Sequence, residues 1–155
     1  MALSVSVQVV PTRKLAAVRR QVRLGEVGSA WQTASDLVWT YLRNNPGLRT
    51  DGHNVFLYRH PENRGASMDV DFGVEVTRSF ETSGEVHEVD TPSGEAAVAT
   101  HVGAYDRLNE AHNAIHAWAA ANDRTFAGYS MEIYGDWSED PNNMETTVIY
   151  LLQPN

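Results

Sequence analysis

The chain reads as a mixed α+β fold in which a strand-helix-strand-strand unit occurs twice, related by a pseudo-twofold, as antiparallel sheets with two main helices. Three observations predict this. Ala16-Ala17-Val18 recurs as Ala96-Ala97-Val98, 80 residues on. An amphipathic helical pattern follows each copy, with an offset of 77. Phe56-Leu57-Tyr58 and the stretch from Met68 to Val76 then recur at Glu132-Ile133-Tyr134 and Met144 to Leu152, both with an offset of 76.

The elements follow in order. Leu3, Val5, Val7 and Val9 alternate with polar residues, as a half-buried strand does. That strand is expected to bend near Pro11 and continue from Leu15 to Val22. Val27, Trp31, Ala34, Val38, Tyr41 and Leu42 share one helical face, and Asn44-Asn45-Pro46-Gly47 stops the helix. In the second copy, Val86 to Val89, Pro92 and Ala96 to Val102 repeat the bent strand. Leu108, Ala111, Ile115, Trp118 and Ala119 form the helical face, ended by Ala121-Asn122-Asp123. His60 to Gly65 and Ser138 to Asn143 are the matching hairpin loops. Thr77 to Glu85 is polar and short for a linker. Each copy is too small to bury much alone, so residues 1–155 are expected to form one domain with a shared sheet and repeats at roughly 1–77 and 85–155.

Composition narrows the function classes. The 155 residues include no cysteine, which removes thiol chemistry and disulfides. A formal net charge of −8 argues against nucleic acid as a partner, since phosphate binding is carried by Lys and Arg. No apolar run is long enough to cross a membrane, and the N-terminal residues lack the features of a signal peptide. The expectation is a cytoplasmic protein, monomeric or weakly dimeric, with neither membrane nor nucleic-acid partners. No phosphate loop, Gly-x-Ser-x-Gly motif or complete set of metal ligands occurs. His112 and His116 stand four apart but lack a third ligand and read as a solvated helix face. No cofactor, metal or haem is expected.

The segment from Met131 to Trp137 carries the most chemistry. On a strand Glu132 and Tyr134 point one way and Ile133 the other. A carboxylate among apolar and aromatic groups is costly to desolvate unless something positive or hydrogen-bonding meets it. Glu132 is therefore a candidate for holding a cationic or donor-bearing small molecule, or for moving a proton together with Tyr134. As an acid or base it would need a raised pKa. As a structural residue it would cap a loop donor or pair with an arginine such as Arg107 or Arg124. The repeat places Phe56 and Tyr58 at positions equivalent to Glu132 and Tyr134, so all four are expected to face one groove. Tyr105, Trp137 and Tyr150 complete the candidate ligand wall. Trp31, Trp39 and Trp118 sit at helical core spacing and read as core.

His101-Val102-Gly103-Ala104-Tyr105, leading into the second helix, together with Glu132-Ile133-Tyr134, Asp140-Pro141 and the duplicated unit, resembles the GyrI-like small-molecule-binding family. That family also supplies effector-binding domains of MerR-type and AraC-type transcription regulators. The resemblance spans essentially the whole chain, and Ala104 stands where the family often has Pro. It implies a pseudo-twofold protein with a central ligand groove between the two halves, in which the glutamate matched by Glu132 engages cationic aromatic ligands. Some stand-alone members hydrolyse cyclopropane-bearing genotoxins, and others act through a protein partner, as in gyrase inhibition. With a first strand at about Leu3, no helix-turn-helix is expected. Stand-alone binding of an amphipathic aromatic or cationic molecule is the leading expectation. A Glu132-dependent hydrolase and a protein-interaction module are the alternatives.

Overall fold

A computed structural model describes residues 4–23, 27–60, 67–135 and 139–154. The strands are β1 (Ser6–Val10), β2 (Lys14–Val22), β3 (Arg49–Arg59), β4 (Met68–Val76), β5 (His87–Asp90), β6 (Gly94–Val102), β7 (Phe126–Tyr134) and β8 (Glu145–Leu152). The helices are α1 (Val27–Asn44) and α2 (Asn109–Ala121). All eight strands join one antiparallel sheet in the order β1-β6-β8-β7-β3-β4-β2-β5. The two copies thus share a continuous sheet, and the line between them runs down its centre, where β3 pairs with β7.

The register locates the pseudo-twofold. Phe56 pairs with Glu132, its own counterpart 76 residues on, so the axis passes between these two residues. The same offset holds one strand out, where Phe56 pairs with Phe72 and Glu132 with Val148. The expected match of Ala16-Ala17-Val18 to Ala96-Ala97-Val98 is corrected by one residue. Ala16 pairs with Val74, and Tyr150, the counterpart of Val74, pairs with Ala97. The offset before the helices is therefore 81, from Ala16 to Ala97. The outer strands agree: Leu15 pairs with Val89, and Ala96, its counterpart, pairs with Gln8. A one-residue slip exchanges the faces of a strand. Val18 lies under α1, whereas Val98, which the offset of 80 would match to it, lies on the opposite side of the sheet.

The bent first strand of each copy is likewise two strands that serve different halves. β1 of the first copy pairs with β6 of the second, and β5 of the second pairs with β2 of the first. Pro11 and Pro92 stand at the breaks, where the missing N–H ends a ladder. Arg13 and Thr91 close the crossing, with the Arg13 amide on the Thr91 hydroxyl at 2.7 Å and the Thr91 amide on the Arg13 carbonyl at 2.9 Å.

Three apolar clusters follow from the alternation along the strands. Ala34, Val38 and Leu42 of α1 pack on Val18, Phe56, Tyr58 and Phe72. Leu108, Ala111 and Ile115 pack on Ala97, Ala99, Val148 and Tyr150. Both helices therefore cover the same face of the sheet. The opposite face buries Leu15, Val55, Leu57, Met131 and Ile149 with no helical residue in its cluster, and every strand but β4 contributes. Full burial without a second layer requires the sheet to curl on itself. Gly73 of β4 lies at a close approach, where an added Cβ would stand 3.0 Å from both the Ala16 carbonyl oxygen and the Ala17 Cβ. On the same face Asp71 is wholly buried, bridged by Arg19 at 2.9 Å and by Arg59. No described helix is long and apolar enough to cross a membrane.

Candidate functional site

Glu132 sits at the pseudo-twofold, on the sheet face covered by both helices, with 6% of its surface exposed. A buried carboxylate must be met by donors or it takes up a proton. Three donors converge on it. The Tyr134 hydroxyl donates to Oε1 at 2.7 Å, and the Tyr58 hydroxyl donates to the same oxygen. Nε2 of His112, reaching down from α2, lies 2.6 Å from Oε2. Burial pushes the carboxyl upward, but the bonds from His112, Tyr58 and Tyr134 outweigh it and hold Glu132 below its ordinary value. The raised pKa that acid–base work would need is not what the site favours: the group is an ionised acceptor. Burial and the Glu132 charge push the hydroxyls of Tyr58 and Tyr134 far upward, so both remain donors.

An ionised carboxylate only accepts, which sets the tautomer of His112. Its Nε2 carries a proton toward Glu132, and in the neutral ring Nδ1 accepts from the Tyr150 hydroxyl at 2.7 Å. Tyr150 is pushed up to about 12 by burial and by Glu132, while the hydroxyl of Ser130, its cross-strand partner, works the other way. Ser130 in turn meets Nε2 of His60 at 2.6 Å. The chain His60, Ser130, Tyr150, His112, Glu132 thus runs from the exposed end of β3 to the sheet centre. Burial, with the neighbouring imidazoles, holds His60 below the usual histidine range, and His116 follows for the same reasons.

Aromatic rings frame the carboxylate. Phe56 stands edge-on to Phe72 and to Tyr134, at centroid distances of 4.8 and 4.9 Å. Tyr105, 41% exposed, meets Tyr134 at 5.4 Å and marks the rim. Its position follows from the turn into α2, where Gly103 takes a φ of +131° that L side chains rarely adopt and Nε2 of His101 bonds the Ala104 carbonyl at 2.8 Å. On the other flank Tyr150 packs against Phe126 at 4.8 Å and His116 at 5.1 Å.

The two copies have diverged most at this site. The buried faces Ala34, Val38, Leu42 and Ala111, Ile115, Ala119 keep the helical offset of 77. His112 and His116 therefore correspond to Ser35 and Trp39. Across the strands, Ser130, Glu132 and Tyr150 correspond to Asn54, Phe56 and Val74, while Tyr134 corresponds to Tyr58. One half is thus uncharged, with Trp39 donating to Asn54 at 3.1 Å, and the other half is ionic.

Glu132, Tyr134, Tyr58 and Phe56 come together as expected, with Tyr105 at the rim and Tyr150 joined through His112. Trp137 lies outside the described residues. Two expectations are corrected, and one alternative falls away. His112 is not a solvated residue: its side chain is only 23% exposed and bonds both Glu132 and Tyr150, and the His116 ring, though exposed, rests on Phe126 and Tyr150. Neither arginine pairs with Glu132, since Arg107 bonds Glu110 at 2.7 Å and Arg124 bonds Glu95. Trp31 is 40% exposed, and Trp39 and Trp118 are only half-buried. Sequence reasoning missed His60, Ser130 and the inward role of His112. The spacing did carry a signal for His112, which follows Leu108 by four and precedes Ile115 by three, beside the buried stripe. Among the described residues no group of His, Asp or Glu is arranged to hold a metal ion.

The fold recurs in solved structures. The C-terminal domain of EcmrR matches with a TM-score of 0.80 and 20% identity, covering 99% of each chain. SAV2435 bound to tetraphenylphosphonium matches with a TM-score of 0.70 and 13% identity, covering 97% of this chain and 94% of the other. A hydrolase from Listeria innocua matches with a TM-score of 0.61 and 14% identity, covering 97% and 92%. At these identities the likeness concerns the fold. No curated protein sequence matches the chain. The description of one family, the GyrI-like small molecule binding domain, fits residues 4–152, and the chain belongs to that family.

Proposed function

We propose that the protein binds an amphipathic aromatic cation, in a sequestering or sensing role, with Glu132 as the counter-charge. The observation that carries this reading is a buried, ionised carboxylate whose hydrogen bonds come from the protein's own side chains, set within a ring-lined centre. Such a group attracts a positive charge without needing a hydrogen bond from it. At about 5 Å and an effective dielectric constant near 20, the attraction is about 3 kcal/mol. A cation over an aromatic face adds about 0.5–2 kcal/mol. Micromolar affinity then requires apolar burial as well, for which the exposed Tyr105 ring and the half-buried Tyr134 ring offer surface. The SAV2435 structure with tetraphenylphosphonium makes this cation the natural probe.

The test is a thermal shift with tetraphenylphosphonium, followed by calorimetric titration. At 100 times its dissociation constant a ligand stabilises the fold by about 2.7 kcal/mol. Absence of any shift with this and other flat cations at millimolar concentration would reject the reading.

A second reading is hydrolysis of an electrophilic aromatic compound, with the ionised Glu132 stabilising positive charge that develops on the substrate and Tyr134 holding the carboxylate in place. It is favoured by the direct bond between Tyr134 and the ionised Glu132. Mass analysis of electrophilic hits after incubation separates the two, because a binder returns its ligand intact.

A further inference from the structure

The three donors on Glu132 are not equivalent. Tyr58 and Tyr134 belong to the two central strands and are packed among Phe56, Phe72 and Tyr105. Their hydroxyls are neutral, so they leave the carboxylate its full charge. His112 stands on a helix, its side chain is 23% exposed, and it alone among the three gains a full positive charge by taking up one proton. That proton goes to Nδ1, where the imidazolium then donates to the Tyr150 oxygen and keeps Nε2 on Glu132. The pair becomes neutral overall.

We infer that the proton on His112 and the positive charge of a ligand are alternative counter-ions of Glu132, so that His112 decides when the site accepts a cation. The inference rests on the cation-site reading and adds the residue that regulates it. The comparison of the two halves supports it independently. Imidazole and carboxylate occur together in the second copy, and the first copy has Ser35 and Phe56 in their places, with neither charge. The other titratable groups facing the pair are Tyr58 from β3, Tyr134 from β7, Tyr150 from β8, Tyr105 before α2, His116 on α2 and His60 at the end of β3. The tyrosines are held neutral across the histidine range. Only His60 and His116 compete for the same role, and each lies on Tyr150, not on Glu132.

Tetraphenylphosphonium has a permanent charge and no proton to exchange, so any pH dependence of its binding belongs to the protein. Titration from about pH 5.5 to 8.5 should show affinity rising with pH, with a limiting slope of roughly tenfold per unit for one displaced proton. His112→Gln keeps a donor on Glu132 without the titratable charge. It should bind at acid pH as tightly as the wild type does at pH 8.5, with no slope. A slope retained in His112→Gln, or a flat wild type that binds, would overturn the inference while leaving the cation site standing. A slope abolished by His60→Gln or His116→Gln instead would do the same. Should His112→Gln not fold, calorimetry of the wild type in buffers of different ionisation enthalpy counts the protons directly. About one proton released per cation at the acid end supports the exchange, and none overturns it. No binding by any variant at any pH would reject the cation site and the exchange together.

Discussion

Replacing Glu132 with Gln keeps the shape of the site and removes its charge. The structure gives the consequences for each neighbour. The amide oxygen can accept from both Tyr58 and Tyr134, which leaves the amide NH2 facing Nε2 of His112. Two donors then meet. The imidazole must shift its proton to Nδ1, which reverses its bond with Tyr150. Three bonds to a charged acceptor, worth about 1.5–3 kcal/mol each, become neutral bonds worth about 0.5–1.5, a loss of roughly 3–4 kcal/mol. Against this stands the desolvation of a buried carboxylate, itself several kcal/mol. The two nearly cancel, so the melting temperature should hold or rise. Ligand affinity has no such compensation. Tetraphenylphosphonium should bind about two decades more weakly, the equivalent of the roughly 3 kcal/mol of charge attraction that is lost. Thermal denaturation and calorimetric titration of the same preparation measure both. A fall of more than about 10 °C, which for a chain of this size corresponds to roughly 3 kcal/mol, would refute the reasoning. It would mean that Glu132 exists to hold the fold.

Three further outcomes are expected. Gly73→Val should destabilise by about 1–3 kcal/mol in urea unfolding, because its Cβ would press on the Ala16 carbonyl and on Ala17, where the sheet curls. Phe72→Ala should cost about 3–5 kcal/mol, as Phe72 is wholly buried, whereas Trp31→Ala at an exposed position should stay within about 0.5 kcal/mol. Stability should decline on acidification in two windows. His60 and His116 are depressed below 6.5, so their contribution is complete above that pH and is lost as pH falls through their folded values. Glu132 is depressed below 4.5, so its contribution is lost as pH falls below about that value, and Glu132→Gln should flatten this lower window in a pH series of unfolding curves.

Much of the architecture was legible because duplication doubles every signal. The offset of 76 at Phe56-Tyr58 and Glu132-Tyr134 located the centre of the sheet, and the helical offset of 77 survived intact. The strands before the helices were misaligned by one residue because Ala16-Ala17-Val18 is buried on both faces. Without alternation, identity of letters outweighs orientation, and the matching letters were on the wrong face. The exchange of β1 and β5 between halves had no local signal beyond two prolines, since pairing partners are non-local. At the site, Glu132 announced itself as a charge in an apolar strand. His112 did not, because a histidine at the edge of a buried stripe is compatible with solvent, and only the register of α2 over β7 and β8 decides where it points. The tryptophans read as more buried than they are for a related reason: helical spacing assigns a face, but a large ring at its margin remains half outside.

The central claim is that Glu132 is an ionised carboxylate that meets the positive charge of a ligand. Carboxyl-carbon chemical shifts, followed by NMR through a pH series with and without saturating tetraphenylphosphonium, measure this at the atom concerned. The expected result is a Glu132 signal that stays in the ionised range from neutral pH down to below about 4.5 and responds to the cation more than any other carboxylate. A Glu132 signal in the protonated range at neutral pH, or one that saturating cation leaves unmoved, would contradict it.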